Sequence, residues 1–157
     1  MKSKVIIVLA IIILVFFIVR MRYGPVYYAG AFNLFPLPGV KVEKNISFGD
    51  EDRLKLDIYY SGEKNEEKKK VIFFVHGGSW KSNNKDQFQF IGKNLARRGY
   101  IAVLPNYRLV PKYRYPTQIN DVAKALKWTE DNINKYGGDN KNIIWSGHSA
   151  GGQLAAL

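Results

Sequence analysis

The segment Gly147-His148-Ser149-Ala150-Gly151 constrains this chain more than any other. It follows the apolar run Ile143, Ile144 and Trp145, and it opens into the small-residue stretch Ala150 to Leu157. A strand-forming run, a turn with glycines two positions either side of a serine, and a helix-forming stretch together make the pattern of a nucleophile elbow. The turn is so tight that positions beside the serine need to be almost free of side chain. Such an elbow lifts the serine hydroxyl out of the end of a sheet. Ser149 is therefore the candidate nucleophile. Ala150, the next residue, is the candidate donor of a backbone N–H to a developing oxyanion. The plainer alternative is a serine in a glycine-rich turn, which the strand before it and the helix after it disfavour.

A second signal lies upstream. Val71-Ile72-Phe73-Phe74-Val75 is a continuous run of β-formers, the signature of a strand covered on both faces. His76-Gly77-Gly78-Ser79-Trp80 follows at once, where the other oxyanion donor of such a site belongs. Glycines here let backbone approach a negative charge without a Cβ in the way. His76 and Gly77 are expected to support this loop, and His76 to shape it rather than to act as the base. Trp80 either lines a pocket for an acyl group or simply packs.

The remaining elements are legible from periodicity. Val42 to Phe48 and Leu54 to Tyr60 are expected strands joined by the hairpin Gly49-Asp50-Glu51-Asp52. In the second, Leu54, Leu56, Ile58 and Tyr60 alternate with Lys55, Asp57 and Tyr59, which predicts one buried face. Ser61 to Lys70 is a charged loop. Phe88, Ile91, Leu95 and Ala96 mark a helix over Asp86 to Arg98, and Tyr100 to Leu104 a further strand. Ile119, Val122, Leu126, Thr129, Ile133 and Tyr136 form one stripe of a helix over Pro116 to Tyr136, stopped by Gly137-Gly138. Strand alternating with helix from residue 71 onward predicts right-handed crossovers and a mostly parallel sheet with flanking helices.

Four motifs in order complete the picture: His76-Gly77-Gly78-Ser79-Trp80, Pro105-Asn106-Tyr107-Arg108-Leu109, Tyr115-Pro116 with Asp121, and Gly147-His148-Ser149-Ala150-Gly151-Gly152. Over residues 42–157 the chain resembles the hormone-sensitive-lipase-like esterases and the related feruloyl-esterase and arylformamidase-type carboxylesterases. All belong to the α/β-hydrolase superfamily. Ser79 stands where many of these have a third glycine, and His148 where the lipase-like branch often has Asp. Both differences lean toward the feruloyl-esterase and arylformamidase side. The resemblance implies an oxyanion hole built from the backbone N–H groups of Gly78, Ser79 and Ala150. It also implies structural roles for Tyr107, Arg108 and Asp121, a small-molecule ester substrate and no cofactor.

The triad does not close within this sequence. In this fold the acid and base follow the serine. The 157 residues contain two histidines, His76 in the oxyanion loop and His148 beside the nucleophile. Asp121 and Asp139 are present, but an acid without a base orients nothing. The expectation is an N-terminal half of an α/β-hydrolase domain, 42–157, truncated after the elbow and lacking the triad Asp and His. Such a chain belongs to a serine carboxylesterase that is inactive alone, with a missing C-terminal half as a partner. The alternative is a non-catalytic remnant, or an interaction module completed by a separate chain.

Composition adds a membrane and removes other classes. Net charge is +11, but the basic residues are scattered, so a solvated basic surface is a better reading than nucleic-acid binding. The absence of cysteine excludes disulfides and Cys-based metal sites. No spacing suggests a metal site, and no Gly-x-x-x-x-Gly-Lys loop is present for phosphate. Val5 to Val19 is an unbroken apolar run between Lys2, Lys4 and Arg20, Arg22. No small-x-small cleavage pattern follows it directly. Residues 1–22 are therefore expected to be an uncleaved signal-anchor, a single-pass transmembrane helix. Residues 23–41 would be a linker, and the globular part would lie on the extracytoplasmic side.

Overall fold

The computed structural model describes residues 2–23, 38–62 and 67–157, with side chains described from Val5 to Ile18 in the first of these stretches. Residues 24–37, most of the expected linker, and residues 63–66, in the charged loop, lie outside the described residues. The first helix, α1, runs Lys2–Tyr23. Its side chains from Val5 to Ile18 are exposed and apolar on every side. Among the described residues no helix is long and apolar enough to cross a membrane. The expected transmembrane span over 1–22 is thus not supported among the described residues, which show a helix with an apolar surface.

Strand β1 (Val40–Ser47) pairs antiparallel with β2 (Lys55–Ser61), as the hairpin signal predicts. Next come β3 (Lys69–Val75), a 3-10 turn (Lys85–Phe88) running into helix α2 (Gln89–Arg97), and β4 (Ile101–Pro105). Helix α3 (Thr117–Asn132) is extended by a 3-10 turn (Ile133–Tyr136). The chain then forms β5 (Gly138–Gly147) and helix α4 (Ala150–Ala156). The five-stranded sheet has the order β1-β2-β4-β3-β5. It is mixed rather than mostly parallel: β1, β2 and β4 pair antiparallel, while β4, β3 and β5 pair parallel.

The order explains the layers. From β3 the chain steps to β4 on one side, then crosses back over β3 to β5 on the other. Right-handed crossovers in opposite directions put their helices on opposite faces of the sheet. Accordingly, Leu56, Ile58, Val71, Phe73, Val75, Ile101 and Val103 pack with Val122, Ala125, Ile133 and Leu154 from α3, its 3-10 extension and α4. Tyr59, Phe74, Ala102 and Leu104 pack on the other face with Phe88 and Ala96 from the α2 region. Reversal of direction at β3 makes the C-terminal ends of β3 and β5 a topological switch point, the usual place for a ligand in such sheets.

One expectation fails informatively. β2 is buried on both faces, with Asp57 and Tyr59 fully inaccessible. Tyr59 lies against Gly92 of α2, where any Cβ would collide with the ring. Asp57 is ionically paired: Lys85 Nζ is 2.8 Å from its Oδ1. Lys85 Nζ also donates to Asn45 Oδ1 at 2.8 Å. The Asn45 N–H and the Tyr59 hydroxyl donate to the two Asp57 carboxylate oxygens. Asn45 reaches in because β1 is bulged between Glu43 and Ile46 and Asn45 adopts a left-handed φ of 58°.

A pair so buried is costly to break from one side, by about 3–5 kcal/mol, because the remaining charge has no counter-ion. Asp57→Ala is expected to destabilise the protein by about that amount, whereas Asp57→Leu combined with Lys85→Met recovers most of it. Urea unfolding of both variants checks this.

Candidate active site

The site is assembled by strand register. Val75 of β3 stands opposite Gly147 of β5, so the segments leaving the two strands emerge side by side. The His148 N–H donates to the Val75 carbonyl at 3.1 Å and continues the ladder one residue past the strand. Ser149 then adopts φ 51° and ψ −120°, a region that a residue with a side chain enters only under strain. The Gly151 and Gly152 N–H groups close the turn onto the His148 and Ser149 carbonyls at 2.9 Å each. Ser149 is exposed, and Ala150 behind it is buried.

The glycines of this turn are contact positions. A Cβ on Gly151 would collide with the carbonyl oxygens of Val75 and His76. One on Gly147 would lie 2.5 Å from the Gly151 backbone. The loop after β3 meets the same elbow: a Cβ on Gly77 would lie 2.6 Å from both His148 Nδ1 and the His148 carbonyl oxygen, and 3.2 Å from Ser149 Cβ. Thus Gly77 and Ser149, 72 positions apart in sequence, are packed together.

The loop from Gly78 to Asn83 is held in an unusual shape. Gly78 has φ 131°, and Ser79, Trp80 and Asn83 have φ 52°, 60° and 68°. The Gly78 carbonyl accepts the Lys81 and Ser82 N–H groups at 3.0 Å. The Gly77 carbonyl accepts from His76 Nδ1 at 2.8 Å and from Asn83 Nδ2 at 3.3 Å. Gly77 C=O and Gly78 N–H belong to one planar trans peptide and point in opposite directions. Holding the carbonyl from one side therefore fixes the Gly78 N–H toward the other. Ala150 is the first residue of α4, and the N–H groups of a helix's first turn have no partner within the helix.

Behind this loop a set of polar contacts ties three segments. Arg53 donates from Nε to the Tyr107 carbonyl and from Nη2 to the Asn83 carbonyl, both at 2.6 Å. The Tyr107 hydroxyl donates to the His76 carbonyl at 3.0 Å. Arg108 grips the fully buried Asp121 of α3 through Nε, Nη2 and its own backbone N–H, at 2.9, 2.6 and 2.9 Å. These are structural duties, as expected for Tyr107, Arg108 and Asp121. Arg53 and Asn83 were not found from sequence, and no periodicity or motif distinguishes them there.

His76 supports the loop and does not face solvent. Its ring is 1% exposed and stacks on Tyr107 at 4.4 Å. Because the Gly77 carbonyl can only accept, Nδ1 carries the proton, and Nε2 is left buried without a hydrogen-bond partner among the described residues. Burial pushes its pKa down to about 4, the hydrogen bond to Gly77 opposing and the Arg53 charge assisting. His148 sets its ring 5.8 Å from that of Phe88, and its Nδ1 faces Gly77. Among the described residues no hydrogen bond joins either histidine to the Ser149 hydroxyl.

A cavity of about 280 Å³ opens beside the loop, lined by Ser79, Trp80, Val110, Tyr115, Gln118 and Leu154 among others. Of the two roles open to Trp80, this places it on a pocket wall.

Because folded His76 stays neutral down to about pH 4 while the unfolded chain protonates near 6.5, the unfolded state binds more protons between those values. Stability is therefore full above about pH 6.5 and falls by on the order of 3 kcal/mol as pH drops to about 4, then levels off. Urea titrations across this range are expected to show that loss in the parent protein and its absence in His76→Gln.

Comparison with known proteins agrees with this geometry. Residues 56–157 match the family described as BD-FAE. Over 120 residues the chain is 37% identical to arylacetamide deacetylase of Bos taurus, covering 73% of this chain and 29% of that protein. Over 115 residues it is 33% identical to Esterase LipC of Mycobacterium tuberculosis, covering 73% and 28%. The chain thus spans under a third of the length of these relatives. It superposes on the Pyrobaculum calidifontis esterase with a TM-score of 0.69 at 27% identity, covering 83% of this chain and 42% of that one. Esterase B from Lactobacillus rhamnosis gives 0.74 at 23% identity, covering 82% and 42%, a likeness of fold. With its elbow and its glycine loop brought together by one register, this chain belongs to the BD-FAE family of α/β-hydrolase carboxylesterases.

Proposed function

We propose that this chain carries the nucleophile and the oxyanion hole of a serine carboxylesterase. The observation that supports it most is the packing of Gly77 against Ser149 and His148. Ser149 Oγ attacks the ester carbonyl and a base takes its proton. The tetrahedral oxyanion is met by the N–H groups of Gly78, Ser79 and Ala150. Collapse expels the alcohol, which regains the proton, and leaves an acyl group on Ser149. Water, activated by the same base, then releases the acid. The cavity bounded by Trp80 and Tyr115 suits one substituent of the ester.

The base and its orienting acid come from polypeptide other than these 157 residues. Of the two histidines, His76 is committed to the Gly77 carbonyl and His148 packs against Gly77 and Phe88. Strand β5 offers the place for the rest of the sheet. It is an edge, with Ile144 and Trp145 44% and 50% exposed. Beside it runs an apolar groove lined by Phe73, Leu126, Trp145 and Leu157. The same edge supports the second reading, an interaction module completed by a separate chain. The protein is attached to a membrane through α1, whose described side chains are apolar on every side and need an apolar surrounding.

Hydrolysis of a short-chain aryl ester tests this. The 157-residue chain alone is expected to show no turnover. A full-length protein carrying it is expected to turn over and to lose about 10⁴-fold or more of kcat on Ser149→Ala. Turnover by the short chain that disappears in Ser149→Ala would place the base within it. Unchanged turnover of the full-length variant would remove Ser149 as nucleophile.

A further inference from the structure

The described chain joins the sheet at one end, and the candidate nucleophile leaves it at the other. Pro38, Gly39 and Val40 line a shallow pocket with Ser61, Lys69, Arg97 and Gly99. This is the end where β3, β4 and β5 begin, since Lys69 stands opposite Gly138 and Val71 opposite Ile101. Ser149 follows the opposite ends of β3 and β5.

The starting end carries an excess of cations. Lys41, Lys68, Lys70, Arg97, Arg98 and Lys135 are exposed, and contacts gather them there. The Lys41 stem lies over Gly62. Lys68 Nζ reaches Asn134 at 3.1 Å, one residue before Lys135. The Lys69 N–H donates to the carbonyl of Gly137, which closes that turn. Arg97 and Arg98 finish α2, where cations also suit the helix dipole. That explanation covers the two arginines but not the lysines of two strands and a turn beside them. With Lys127 and Lys141 also exposed there, these cations outnumber Glu43, Glu67, Glu130, Asp131 and Asp139 among the described residues. The Ser149 end is balanced, with Lys81, Lys112 and Arg114 exposed beside Asp50, Glu51 and Asp52.

The linking stretch 24–37 spans at most ~50 Å when fully extended. A surface that holds α1 therefore keeps the basic end within reach. We infer that the basic end of the domain is a docking surface for anionic lipid headgroups, which turns the Ser149 end of the sheet away from the bilayer. This rests on the proposed attachment through α1 and adds to it a second, electrostatic contact. Each Lys or Arg held near an anionic surface strengthens binding about fivefold.

Cosedimentation of the whole chain with phosphatidylcholine vesicles, with and without phosphatidylserine, tests the inference. Binding to both, stronger by more than tenfold with phosphatidylserine and reduced to the neutral level by high salt, is expected. Arg97→Gln with Arg98→Gln, and separately Lys68→Gln with Lys70→Gln, should each lower the anionic preference about 25-fold at most, with neutral binding unchanged. Amide exchange should slow at residues 38–41 and 97–99 on anionic vesicles only. Equal binding to both vesicle types would overturn the basic surface while leaving attachment through α1. Binding to neither would overturn both. An equally tight, salt-sensitive association with duplex DNA would show a general polyanion surface and overturn the lipid assignment.

Discussion

The contact on which the rest of this structure depends is between Gly151 and the carbonyl oxygens of Val75 and His76. No side-chain atom fits there. Because the backbone of α4 lies directly on the end of β3, β5 must pair with β3 in the observed register, Val75 opposite Gly147. That register determines where the two functional segments emerge. Shifting it by one residue would exchange the faces of β5 and carry Ser149 away from Gly77. The strain stored in the Ser149 backbone is held by this packing, with a buried Ala150 and the β3–β5 ladder on either side of it.

A second group of interactions supports the loops from behind. Arg53 leaves the β1–β2 turn and joins the carbonyls of Asn83 and Tyr107. Asn83 in turn helps hold the Gly77 carbonyl, and Tyr107 holds that of His76. The loop after β3 therefore rests on hydrogen bonds to the carbonyls of His76, Gly77 and Asn83. Lys85 and Asp57 do related work one layer away, fixing the start of the α2 segment to β2 and to the β1 bulge.

How legible this was depended on whether a feature is local. The elbow and the glycine loop are contiguous motifs, and their place after β3 and β5 could be read from the apolar runs preceding them. The burial of β3 was visible because Val71 to Val75 carries no polar interruption. β2 misled because alternation with Lys55 and Asp57 looks like a strand half in water. The partner that neutralises Asp57 is Lys85, 28 positions later, and a lysine between Asn84 and Asp86 resembles any surface residue. Arg53 and Asn83 escaped for the same reason, since their roles exist only in the loop contacts. The apolar N-terminal run was easy to find, and the structure gives it a helix, while among the described residues that helix falls short of a span.

Chemistry of the proposed kind requires Ser149 to face donors from two separate segments. The most direct measurement is a crystal structure of the full-length protein after reaction with an alkyl phosphonate. A phosphorus bonded to Ser149 Oγ is expected, with a phosphonyl oxygen about 2.7–3.1 Å from the N–H groups of Gly78, Ser79 and Ala150. A phosphonate bonded to another residue, or an oxygen directed away from these three groups, would contradict it.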